Sequence, residues 1–199
     1  MGLTASSTGN DFKGVDPGTY AARCVKLIDL GTQHGEFEGR PRIRKQVLIT
    51  WELPTELMEG GEFDGKPYVM SKFYTLSLGE KANLRKDLNS WRGKAFTEQE
   101  LAGFDLRNIL GKACMLSVIE EKGKTKIAAV SALIKGMTVP EQINPSVVFD
   151  IDQWEQGIFD GLTDGIKNII KESDEYKHQH GVPYEREEAP FNPDEDIPF

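Results

Sequence analysis

In two stretches of the first 80 residues, 46–53 and 68–78, apolar and polar positions alternate with a period of two, the spacing of strands that turn one face to a core. Thr19 to Leu30 reads as a long strand closed by Gly31. Gln46 to Leu53 reads as a second, with Val47, Ile49, Trp51 and Leu53 on one face and Gln46, Thr50 and Glu52 on the other; Pro54 ends it. A third runs from Tyr68 to Leu78, where Tyr68, Met70, Lys72, Tyr74 and Leu76 alternate with Val69, Ser71, Phe73 and Thr75. Residues 31–44 between the first two strands read as a polar loop with a basic end, and residues 55–66 as a turn-rich loop containing Gly60-Gly61 and Asp64-Gly65.

The period then changes. Ala82, Leu84, Leu88 and Trp91 fall at helical spacing over Glu80–Trp91, with Gly93 as the stop. Thr97 followed three residues later by Glu100 is a capping box that opens a short helical turn. Phe104 to Leu110 forms another short apolar element. Ala113–Glu120 and Thr125–Ile134 read as a hairpin turning on Glu121-Lys122-Gly123-Lys124. Beyond Gly136, residues 137–153 are extended and marked by prolines. Trp154 to Tyr176 carries Trp154, Ile158, Phe159, Leu162, Ile166, Ile169 and Ile170 at spacings of 3 or 4. This predicts an amphipathic helix, frayed by Gly157, Gly161 and Gly165, that docks on the preceding strands or on a second subunit.

Five strands with helical material between the third and fourth follow the plan of the OB-fold, a small Greek-key barrel. Order and length permit closure without establishing it; an SH3-like barrel or an open meander fits the count less well. The predicted class is mainly β with helical insertions: a five-stranded OB-fold barrel, a C-terminal helix and a disordered acidic tail. The chain divides into a flexible arm (1–17), the barrel (18–136), an extension with the helix (137–178) and a tail (179–199).

Charge sharpens that division. Residues 1–149 hold 20 Lys+Arg and 18 Asp+Glu, a net of +2, whereas residues 150–199 hold 4 and 14, a net of −10. The overall charge of −8 is thus a property of the last quarter, and it does not argue against a polyanionic partner for the body. Cys24 and Cys114, the two cysteines, lie far apart in apolar runs and read as buried free thiols. His34, His178 and His180 form no metal-binding spacing with them. No run approaches the roughly 18 apolar residues of a membrane span.

The last six residues are Asp194-Glu195-Asp196-Ile197-Pro198-Phe199. Three carboxylates lead into two large apolar side chains that have no neighbours with which to build a core. Such a solvated segment is suited to capture in a partner's pocket, with the carboxylates meeting Arg or Lys at its rim. This ending closely resembles the acidic tip of bacterial-type single-stranded DNA-binding proteins, and the body is similar in style to small OB-fold proteins encoded by bacteriophages. The resemblance implies binding of single-stranded DNA without sequence preference, in replication, recombination or repair. It also implies recruitment of enzymes of those processes through Asp194–Phe199, and a cytoplasmic location, the bacterial host's for a phage protein. The long connection between the third and fourth strands and the helix before the tail depart from the bacterial relatives, which favours a monomer or dimer over their tetramer.

Binding a single strand needs cations for the backbone and aromatic faces for bases, each stacked base contributing roughly 1–3 kcal/mol. In an OB-fold these flank the second and third strands. Arg40, Arg42, Arg44 and Lys45 end the first loop, Lys122 and Lys124 decorate the last hairpin, and Lys72 and Tyr74 share a face of the third strand. Trp51 lies on the second strand, where its apolar neighbours make it as fit for the core as for stacking. Phe73, on the face of Val69, is expected in the core. No phosphate-cradling loop, nucleophile elbow or zinc-binding helix pair is present, so the chain reads as a non-enzyme without cofactor or metal. Two other classes fit less well: a protein-interaction adaptor, and a DNA-processing enzyme with an unrecognised metal site.

Overall fold

The computed structural model describes residues 14–37 and 39–181. Among them, one six-stranded sheet dominates. Its strands are β1 (Gly18–Phe37), β2 (Arg40–Leu57), β3 (Pro67–Thr75), β4 (Ala113–Glu121), β5 (Lys124–Ser131) and β6 (Val147–Phe149). The order is β3-β2-β1-β4-β5 with every pair antiparallel, and β6 adds to β1 in parallel. Short helices fill the connections: α1 (Asn83–Arg92) and α2 (Glu98–Ala102) before β4, and α3 (Gln156–Asp160), α4 (Asp164–Lys171) and α5 (Asp174–Gln179) after β6.

β1 and β2 are longer than the alternation predicts. β1 passes through Gly31, which sits at a register shift with φ +70°, a conformation glycine adopts at little cost. The segment 31–44, expected to be a loop, is instead a two-stranded arm in which Gln33 pairs with Arg44, Gly35 with Arg42 and Phe37 with Arg40. Pro41 is tolerated because β2 there has only β1 beside it. At its other end β2 continues past Pro54 to Leu57.

Two apolar cores lie on opposite faces of the sheet. The first gathers Cys24, Leu27, Val47, Ile49, Trp51, Leu53, Tyr74 and Leu116 under Leu84, Leu88 and Trp91 of α1. Helix α1 ends at Gly93 in the left-handed conformation, and Thr97 and Glu100 form the predicted capping box at α2. Val15 also packs in this core, so the body of the fold begins before Gly18. The second core places Phe149, Ile151, Phe159 and Ile170 over Ile28, Leu30 and Leu48. Each fully buried side chain of this kind contributes roughly 1.5–3 kcal/mol, and together they dock the C-terminal segment on the chain's own sheet. The single helix expected over Trp154–Tyr176 is three short ones, broken after Asp160 and after Lys171.

Two polar side chains, half-buried Arg23 and buried Glu52, tie down the connection to β6. Arg23 donates to the carbonyls of Val139, Pro140 and Gly111, and the buried Glu52 carboxylate accepts from the backbone N–H groups of Ile143 and Asn144 at 2.6 and 2.7 Å. The sheet edges β3 and β5 approach one another, with Lys72 Nζ 3.5 Å from the Ala128 carbonyl, but they share no backbone ladder among the described residues. No helix of these residues is long and apolar enough to cross a membrane. Residues 1–13 of the expected arm, and residues 182–199 with the whole Asp194–Phe199 tip, lie outside the described residues.

Candidate nucleic-acid interface

Strand alternation decides which side chains can meet a ligand. Arg40, Arg42 and Arg44 stand at i, i+2 and i+4 on β2, so all three lie on one face of the arm. Arg40 and Arg42 are exposed and Arg44 is half-buried. The same face of β2 continues to Gln46 and Leu48, whose partners on β3 are Thr75 and Phe73. At this junction the surface opens into a groove of about 740 Å³, lined by Arg42, Arg44, Gln46, Phe73, Tyr74, Thr75 and the loop from Ser77 to Asn83 that carries Glu80 and Lys81. A smaller hollow of about 200 Å³ extends over the arm past Gln33, His34, Gly35 and Glu36, and Arg42 and Arg44 line it too.

Phe73 is the aromatic group this groove presents, with 52% of its surface exposed. This corrects the expectation of a core residue. Its register partner Leu48 is covered by the C-terminal segment, but that cover stops short of β3. Nothing in the alternation of β3 distinguishes a covered outer face from an open one, so the sequence offered no signal for Phe73. Lys81 and Gln46 were missed for a similar reason, because their nearness to the arginines depends on how β3 and its following loop fold back.

Of the two rings proposed from sequence, Trp51 lies away from the groove, and Tyr74 borders it but is buried. Trp51 is 1% exposed and packs against Trp91, with ring centroids 5.9 Å apart; its indole N–H meets no acceptor. Tyr74 is 4% exposed, and its hydroxyl donates to Asp87 of α1 at 2.8 Å. Burial, and then the Asp87 carboxylate, push the Tyr74 phenol far above its ordinary range. Neither ring offers a face to a base, because both point into the first core.

Lys72 and Lys45 are likewise engaged. Lys72 donates to Asp87 at 2.7 Å and lies over the Tyr74 ring. The Lys72–Tyr74–Asp87 group thus joins β3 to α1 beside the β5 edge and reads as a structural tie. Lys45 points to the face opposite the arginines, where it pairs with Asp29 at 3.2 Å and Asp152 at 3.1 Å. Burial works against the Lys45 ammonium, but Asp152 and Asp29 outweigh it and hold the group above its usual range. Lys122 and Lys124 are exposed at the β4–β5 turn, where Lys122 takes φ +54° and Gly123 φ +74°. That turn lies beyond the Gly18 end of β1, whereas the arginine arm is its other end.

Asp29, Asp150 and Asp152 are, among the described residues, the group of acids close enough together to share a cation, their oxygens lying within 4.8 Å of one another. Lys45 bridges two of them and Arg107 holds Asp150 at 2.7 Å, so two side-chain cations already offset most of the charge of the three carboxylates. The cluster reads as an ion-pair network between β1, β2 and the C-terminal segment. Comparison with protein-family models, with curated proteins and with solved structures finds no match to this chain. The functional reading therefore rests on the geometry of the groove and on the sequence.

Proposed function

We propose that this chain binds single-stranded DNA without sequence preference along the Arg42–Arg44–Phe73 groove. In this reading the acidic tip, Asp194–Phe199, recruits enzymes of replication, recombination or repair. The observation that carries the proposal is one concave surface that combines an arginine stripe, a lysine-bearing loop and an exposed phenyl ring. Guanidinium groups suit phosphate oxygens, and a ring in a basic groove suits the face of any base. Duplex DNA hides those faces, which favours the single strand. The strand order, with the β3 and β5 edges drawn together at Lys72, supports an OB-like barrel closed along that seam by side chains.

The test is a labelled-oligonucleotide shift with single-stranded and duplex DNA, with and without magnesium. Salt-sensitive binding confined to the single strand and without cleavage is the expected result. Absence of binding would replace this reading with that of an interaction adaptor. Magnesium-dependent cleavage would point to an enzyme and redirect attention to Asp29, Asp150 and Asp152.

A further inference from the structure

A two-stranded ribbon projecting from a sheet is marginal on its own. The arginine arm is such a ribbon, and the edge of β1 facing away from β2 shows how it is held. Along that edge β1 is met first by β4, over Gly18–Arg23, and then by β6, over Lys26–Ile28. Where the sheet ends, α5 takes over. The Glu175 carboxylate accepts from the Thr32 backbone N–H at 2.6 Å and from the Thr32 hydroxyl at 2.8 Å. The Gln33 side-chain amide donates to the Ile169 carbonyl of α4 at 2.9 Å. His34 Nε2 lies 2.8 Å from Asp174. Three successive residues of the arm are thus each gripped by the C-terminal helices. Across the ladder they face Lys45, Arg44 and Ile43.

The fit is close at the hinge. A Cβ added to Gly31 would lie 2.6 Å from Ser173 Cβ and 2.7 Å from a Glu175 oxygen. Ser173 is buried, donates to the Ile170 carbonyl at 2.6 Å and caps α5 by accepting from Tyr176 N. Glycine at the point where the arm departs and a serine cap at the start of α5 therefore let the two segments meet without intervening side chains.

We propose that Glu175 and Asp174 are positioning residues for nucleic-acid binding: α5 clamps the root of the arm and sets the pose of Arg42 and Arg44 beside Phe73. The proposal deepens the single-stranded DNA reading and rests on it for its affinity readout. A pre-set arm spares the complex the entropic cost of ordering a free ribbon and its long side chains on binding. Loss of the clamp weakens binding although neither acid touches the ligand.

The test uses the full chain with E175A, with T32V as a milder variant that keeps the shape and removes one donor. In the free protein, amide hydrogen exchange over residues 32–44 is expected to accelerate in E175A, while the strands of the first core keep their protection. Affinity for an oligo-dT strand is expected to fall roughly five- to tenfold, as when a pre-ordered element is released. That loss should vanish when E175A is placed in the R42A/R44A background, because the clamp acts through those arginines. Losses that simply add, or arm exchange that E175A leaves unchanged, would overturn the clamp. Protection lost evenly across all strands would make Glu175 a general stability residue and also overturn it. Wild-type protein that ignores the oligonucleotide overturns the DNA reading itself, which the exchange result in the free protein keeps distinct from failure of the clamp.

Discussion

The two halves of β2 have opposite fates. From Val47 to Pro54 every residue is buried, whichever face it occupies. From Arg40 to Ile43 every residue is exposed, and Arg44 to Gln46 are half-buried. The inner half is sandwiched, with Trp51 and its neighbours in the first core and Leu48 and Glu52 under the C-terminal segment. The outer half has neither cover and keeps a row of arginines at the surface. One continuous strand thus anchors a fold at one end and offers a charged arm at the other. What separates the roles is what lies above and below the strand.

The sharpest way to break that comparison is at Trp51. Replacement by Ala should cost about 3–5 kcal/mol of stability, as for large buried aromatics, seen as a lower urea midpoint. A stable W51A that lost only DNA affinity would put the ring in the interface after all. Phe73→Ala should do the reverse, weakening oligonucleotide binding by about 1–3 kcal/mol with little change in melting temperature. A large drop in melting temperature for F73A would place Phe73 in the structural half. Arg42→Ala with Arg44→Ala should leave stability within about 0.5 kcal/mol. It should also flatten the slope of log affinity against log salt by roughly 0.7 for each phosphate that is no longer neutralised; an unchanged slope would remove the arm from the site. Deleting residues 180–199 should tighten binding at low salt by roughly a few-fold, since a tethered acidic segment competes for a basic groove at millimolar effective concentration. Equal affinity with and without it would show that the tail and groove do not meet.

The smallest effect expected is on thiol chemistry. Cys24 and Cys114 are buried in the first core, and burial pushes the Cys24 thiol up to about 12. Both should resist a thiolate-selective reagent at pH 8 in the native state and react after denaturation. A thiol whose folded value is raised stays protonated through the neutral range, so these groups should add no pH dependence to stability below about pH 8. Fast labelling of the native protein would show that the inner half of the sheet opens more readily than its burial implies.

Much of the local structure was legible. The α1 pattern ending at Gly93, the Thr97–Glu100 capping box and the β4–β5 hairpin all follow from rules that act within a few residues. The arm was not legible, because Gly31 and Pro41 carry the signature of a loop when considered alone. Gly31 is instead a register shift pressed against Ser173, some 140 residues away in sequence. Strand β6 escaped notice because three residues carry no periodicity. At the candidate site, the arginines were anticipated as a loop cluster; their alignment on one strand face and their aromatic partner were not.

Sequence by itself determined that Phe73 and Tyr74 face opposite ways and that negative charge collects after residue 150, because these follow from strand geometry and from counting. Tertiary structure alone decided which face of β3 became interior. Helix α1 brought Asp87 to Tyr74, while the C-terminal helices covered Leu48 and stopped before Phe73. Burial is conferred by segments distant in the chain, and a local pattern can say that two faces differ without saying which one will be covered.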